Sequence, residues 1–184
     1  AVFDSQPKST RLGFSLYWRE GASDWDSLLR HHRERGDDEA TLEENGDNGL
    51  LWTEMTPPEV ATWLGEAWPG VSLLSAGHSI RLFKDEGHPR DIATRYGFAS
   101  FSGTHLVGHT RMATESMVSP AHAHPFTAGQ DFCLVHNGSL SNPNSVRRRL
   151  QRQGIAFETD NDTEAGCRYL EWRMREGDSL EEAI

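Results

Sequence analysis

Three polar stretches stand at near-equal intervals in the second half of this chain, and they restrict its fold more than any other feature. Arg111 follows the strand-like stretch Thr104 to Thr110, Asn137-Gly138 follows the apolar run Phe132 to Val135, and Asp162 opens a helical stretch after Ile155 to Phe157. The separations are 26 residues from Arg111 to Asn137 and 25 from Asn137 to Asp162. Each is long enough for the chain to leave one strand end and return beside it, since sequential elements tend to be neighbours. A fold of that kind gathers a cation, an amide beside a glycine, and an anion. Spacing permits this arrangement without requiring it.

The chemistry of such a set is specific. A guanidinium at Arg111 can grip a carboxylate through two parallel hydrogen bonds, which a lysine cannot do. Thr114 could add a hydroxyl to the same carboxylate. Gly138 lets the backbone approach a ligand closely, and its N–H with the Asn137 amide could form an oxyanion hole. Asp162 could bind an ammonium group. Together they fit a small zwitterion and the oxyanion of a reacting amide. Each residue also has an ordinary reading: Arg111 as a surface ion pair, Asn137-Gly138 as a turn, Asp162 as a helix N-cap.

Composition narrows the classes. The chain has 184 residues, room for one domain with a sizeable insertion. Its net charge of −10 argues against non-specific nucleic-acid binding. No apolar run near the length of a membrane span occurs, and no signal peptide opens the chain. Cys133 and Cys167 form neither a disulfide framework nor a metal-ligand spacing, so a cytoplasmic protein is the default. The pairs His31-His32 and His122/His124 lack a third ligand at metal-site spacing, and neither a metal nor a cofactor is expected.

The order of elements predicts two regions, 1–77 and 78–184. In the first, Leu12 to Trp18 alternates as a strand, Ser23 caps a helix with Trp25, Leu28, Leu29 and His32 on one face, and Asp37 to Asn48 reads as an acidic, solvated loop. Gly49 to Met55 and Val71 to Leu74 read as strands around a helix that Thr56-Pro57-Pro58-Glu59 starts, an inserted βαβαβ region. The tryptophans of its two helices are expected to be core. In the second region, Ser79 to Lys84, Thr104 to Thr110 and Ile155 to Phe157 are predicted strands, and Phe132 to Val135 a strand buried on both faces. Asn142-Pro143 starts a helix with Val146 and Leu150 inward and its arginines mostly solvated. Strands grouped beside helices predict a layered α+β fold.

The ordered set GHTRMATES, the HPF at His124 to Phe126, LVHNGSLSN from Leu134 and ETDNDTE from Glu158 resembles the class II glutamine amidotransferases, which are N-terminal-nucleophile hydrolases. It is most similar to the amidotransferase-type subunit of glutamate synthase-like enzymes, N-methylglutamate synthase included. The resemblance covers roughly Ala76 to Ile184. It implies a four-layer αββα sandwich, here incomplete at both ends, and hydrolysis of the glutamine side-chain amide to glutamate and ammonia, with the ammonia passed to a synthase partner. By motif, Arg111 would hold the α-carboxylate with Thr114 nearby, Asn137 and Gly138 would stabilise the oxyanion, and Asp162 would take the α-ammonium. Met112 and Glu115 depart from the aromatic and histidine that many members carry.

The family's nucleophile is an N-terminal cysteine whose own α-amino group is the base. No cysteine opens this chain, and Cys133 and Cys167 read as core residues, so the segment alone is expected to be inactive. Both ends read as cut from a longer domain: Ala1-Val2-Phe3 resembles a strand tail, and Asp178 with Glu181 starts a helix as the sequence stops. The alternative is a non-catalytic module of the same fold that binds glutamine or a partner protein.

Overall fold

Leu12–Trp18 (β2), buried continuously from Gly13 to Leu16, sits inside a four-stranded sheet. Phe14 and Leu16, both fully buried, share one face of this strand. The computed structural model describes residues 1–4, 10–110 and 119–184. These form two units, Ala1–Leu106 with Gly129–Asp131, and Val107–Ala128 with Phe132–Ile184.

In the first unit, β2 pairs antiparallel with Asn48–Thr53 (β4) on one side and Val71–Gly77 (β5) on the other. Thr41–Asn45 (β3) continues the sheet beyond β4, giving the order β3-β4-β2-β5. Two helices, Trp25–Arg33 (α1) and Pro57–Ala67 (α2), supply Trp25, Leu28, Val60, Trp63 and Leu64 to the core that Phe14, Leu16 and Leu51 line. The helix tryptophans are core, as expected. Asp24, not Ser23, caps α1, accepting from the Ser27 N–H at 3.0 Å. At α2 the Thr56 N–H donates to Glu59 at 2.7 Å, closing the predicted capping box.

The expected acidic loop is instead partly strand β3, joined to β4 by a turn at Gly46-Asp47, so the region reads βαββαβ. Its charges suit an edge strand, where acidic side chains discourage pairing with another chain.

One buried polar chain ties α1 to this sheet. His32, fully buried, lies 2.8 Å from the Thr53 hydroxyl, which donates to Asp37 at 2.7 Å. Asp37 also accepts from Arg11 and from the Glu54 N–H. Burial alone would raise the Asp37 carboxyl; the hydrogen bonds from Arg11, Thr53 and Glu54 outweigh it and hold the group at about 2. A folded value below the unfolded one means stability that is complete above the ordinary carboxylate range and is lost as pH falls toward about 2. Asp37→Asn is therefore expected to flatten the acid limb of the unfolding-midpoint-against-pH curve between about pH 4 and pH 2. An unchanged slope in that window would exclude Asp37 as the source.

Val2–Phe3 (β1) lies between Ile80–Arg81 (β6) and His105–Leu106 (β7) in a second, antiparallel sheet of this unit. The predicted strands at Ser79 to Lys84 and Thr104 to Thr110 shrink to these two-residue pairings, and the short helix Pro89–Arg95 (α3) lies between them in the chain. Asp131 fixes the turn between β5 and β6. Its carboxylate accepts from the N–H groups of His78, Ser79 and Ile80 at 2.8–2.9 Å and from the Ser79 hydroxyl at 2.9 Å.

In the second unit, Phe126–Thr127 (β8) pairs antiparallel with Cys133–Leu134 (β9). Phe126, Ala128 and the buried Cys167 make a small core on which Phe132 and Leu134 pack. The Phe132 to Val135 run is thus half-buried rather than covered on both faces. Helices Pro143–Gln151 (α4), Asp162–Arg175 (α5) and Leu180–Ala183 (α6) complete the unit. Ile155 to Phe157 is not a strand. The cap of α6 is Ser179 with Glu182, while Asp178 is taken by Arg173. Among the described residues the fold is mixed, with helices beside three separate sheets, compatible with an α+β class. Among the described residues no helix is long and apolar enough to cross a membrane.

Candidate functional site

The second unit brings two of the three predicted stretches together. The chain leaves β9 through Val135 and the half-buried His136 and exposes Asn137 and Gly138. Two residues on, the Leu140 N–H donates to Asp162 Oδ2 at 2.8 Å. This bond joins the loop after Asn137-Gly138 to the first turn of α5. Arg111 and Thr114 lie outside the described residues.

Helix α5 begins so that Asp162 is left for other work. Asn161 is the N-cap, accepting from the Thr163 N–H at 2.9 Å. The ordinary reading of Asp162 as the cap therefore falls to its neighbour. Asp162 occupies the first helical position, where the dipole favours an anion. Its Oδ2 is held by Leu140, and its Oδ1 lies 3.5 Å from the Thr163 hydroxyl.

Gly138 has a close neighbour. A Cβ there would lie 3.0 Å from Nε2 of His136, so the imidazole rests against the glycine. On the same unit, His124 Nε2 lies 2.9 Å from the Thr163 hydroxyl, and its ring meets that of His109 edge-on at 4.7 Å. His122 lies 3.6 Å from Asp160. Among the described residues, no group of three or more His, Cys, Asp or Glu side chains is placed to hold a metal ion.

Two residues that sequence reasoning did not single out shape the approach to Asp162. Glu164 is buried and accepts from the Glu158 N–H, the Thr159 N–H and the Thr159 hydroxyl at 2.7–2.8 Å. Arg147, predicted to be mostly solvated like the rest of its cluster, is half-buried and donates to the carbonyls of Thr159 and Asn161. The local signals were present: Glu164 lies two residues after Asp162, and Arg147 sits on the side of α4 next to Val146. Neither partner set is local enough to be read from spacing.

The thiols are poorly suited to attack. Burial raises Cys133, and burial pushes Cys167 up to about 12. Cys167 belongs to the core, as expected; Cys133 is half-buried on the face of β9 opposite Phe132 and Leu134. Arg168 pulls Cys167 the other way, but burial dominates, and a thiol kept neutral is a weak nucleophile.

Relatives place this geometry in context. The chain is 49% identical over 126 residues to the glutamine amidotransferase-like protein GlxB of Rhizobium meliloti, covering 68% of this chain and 42% of that protein. It is 45% identical over 116 residues to a putative glutamine amidotransferase of Methanothermobacter thermautotrophicus, covering 62% of this chain and 38% of that one. Over 115 residues it is 36% identical to the glutamine–fructose-6-phosphate aminotransferase (isomerizing) of Aliivibrio fischeri, covering 62% of this chain and 19% of that enzyme. The chain thus spans well under half the length of each of these relatives. Residues 109–182, which hold the Asn137-Gly138 loop and Asp162, match the glutamine amidotransferase domain and belong to that family.

Proposed function

We propose that this chain carries the glutamine-binding part of a glutaminase that hydrolyses the side-chain amide of glutamine to glutamate and ammonia. The observation that supports the reading is the Leu140–Asp162 hydrogen bond, which ties the loop that follows the exposed Asn-Gly pair to a carboxylate at a helix start. Asp162 takes the α-ammonium, Arg111 the α-carboxylate with Thr114 beside it, and the Asn137 amide with the Gly138 N–H the tetrahedral oxyanion. Fixing both charged ends measures the distance to the amide, and so separates glutamine from asparagine.

Burial raises the thiols of Cys133 and Cys167, and on this reading the nucleophile is a cysteine outside residues 1–184, with its own α-amino group as base. Its sulfur attacks the amide carbon, ammonia leaves with a proton from that amine, and water then hydrolyses the glutamyl thioester. On this reading the fold is the four-layer αββα sandwich of the N-terminal-nucleophile hydrolases, residues 78–184 belong to its core, and residues 1–77 are an inserted region. The ammonia goes to a synthase partner, as in glutamate synthase-like enzymes. The Aliivibrio fischeri relative is named a glutamine–fructose-6-phosphate aminotransferase; here only the glutamine half is proposed.

The same suppressed thiols favour a second reading, a glutamine-binding module without catalysis. Ammonia release from L-glutamine by the full-length protein separates the two. The first reading expects turnover, and Arg111→Ala is expected to cut kcat/KM by about 10²–10³, the cost of truncating one partner of a desolvated charged pair. Turnover unaffected by that substitution would remove Arg111 from the site.

A further inference from the structure

Asp162 follows a loop without regular structure, and two charged side chains hold that loop from opposite ends. From α4, Arg147 Nη1 donates to the Thr159 carbonyl at 2.7 Å, and Nη2 donates to the Asn161 carbonyl. Its guanidinium carbon lies 4.6 Å from the centre of the Phe157 ring. From α5, the Glu164 carboxylate, 3% exposed, takes the Glu158 and Thr159 N–H groups and the Thr159 hydroxyl. An arginine given to carbonyls and a buried carboxylate given to N–H groups both make charge-assisted bonds, and both converge on residues 158–161. The backbone leading into Asp162 is thereby fixed, while Leu140 fixes its side chain.

We infer that Arg147 and Glu164 are positioning residues that set the Asp162 carboxylate where it reads the α-ammonium of an amino-acid ligand. The inference rests on the role proposed for Asp162. Its physical basis is that a displacement of about 1 Å in a positioned group can cost on the order of 100-fold. Neither residue touches the ligand, so their loss weakens only ligands that carry the ammonium.

L-Glutamate and glutarate differ by that ammonium alone, and neither is consumed by amide hydrolysis. Calorimetric titration of the full-length protein is expected to show L-glutamate preferred by about 100-fold, the scale of a desolvated charge pair. Arg147→Met and Glu164→Gln are expected to reduce the preference below about tenfold while leaving glutarate affinity unchanged. Arg147→Lys, which keeps a donor for one carbonyl, is expected to restore part of it and serves if the methionine variant does not fold. Equal weakening of both ligands, or an intact preference in these variants while Asp162→Asn abolishes it, overturns the positioning role and leaves Asp162 in place. A preference that Asp162→Asn does not change, or that the parent protein lacks, overturns the Asp162 reading and this inference together.

Discussion

Asp131→Ala is expected to destabilise the first unit by about 3–4 kcal/mol, because it strands several partly buried donors that a charged acceptor now satisfies. The carboxylate collects three successive backbone N–H groups, from His78, Ser79 and Ile80, and the Ser79 hydroxyl. Its own N–H donates to the Ala76 carbonyl at 3.0 Å, so the residue is pinned on both sides of the β5–β6 turn. Burial would raise this carboxyl, yet those backbone N–H groups hold it below the ordinary range. Its contribution is therefore present above the unfolded value and is lost as pH falls through the folded one. Asp131→Asn is expected to lose less than Asp131→Ala. The amide oxygen still serves Ser79 and Ile80, but its NH₂ then faces the His78 N–H. Gly77→Ala attacks the same contact from the other side, since a Cβ there would stand 2.3 Å from Asp131 Oδ1 and 2.8 Å from its backbone N. Tryptophan fluorescence during denaturant unfolding is a suitable readout. Trp18, Trp25, Trp52, Trp63 and Trp68 all lie in this unit, against Trp172 alone in the other. A midpoint within error of the parent for Asp131→Ala would show that the turn holds without it.

Local rules made some of this architecture legible and hid the rest. Thr56-Pro57-Pro58-Glu59 announced α2 because a capping box is closed within four residues. Trp25, Leu28 and His32 marked the inward face of α1 by helical spacing alone. Strand β3 was hidden because its edge position tolerates Glu43 and Glu44, which erase the alternation a half-buried strand usually shows. Strands β6 and β7 are set by pairing with β1, some 80 to 100 residues away, and nothing local marks their ends. The candidate site divides in the same way. The Asn-Gly pair and Asp162 carry family-like flanks that can be read in order. Asp131, Arg147 and Glu164 spend their side chains on backbone groups, and a sequence gives no sign of which carbonyl or N–H a side chain will find. Asp131 is the extreme case, since its partners lie more than 50 residues upstream.

On the proposed reading, Asn137→Ala lowers kcat for glutamine by about 10²–10³, or about 3–4 kcal/mol, with KM changed far less. The asymmetry is the diagnostic part. An oxyanion donor strengthens its bond as the amide carbonyl becomes tetrahedral, whereas a residue that merely shapes the pocket changes ground-state and transition-state binding alike. Gly138 tests the same hole through sterics. Its Cβ would meet Nε2 of His136 at 3.0 Å, so the imidazole or the loop must yield by a few tenths of an ångström. If the loop yields, the Gly138 N–H turns away from the oxyanion, and Gly138→Ala is expected to cost about tenfold in kcat. Combining it with His136→Ala removes the obstacle and is expected to return most of that loss. A loss in Gly138→Ala that the second substitution leaves untouched would point to glycine's backbone freedom rather than its contact with His136. Equal changes in kcat and KM for Asn137→Ala would assign Asn137 to substrate binding instead. Both readouts come from steady-state ammonia release by the full-length protein, and neither depends on the identity of the acceptor.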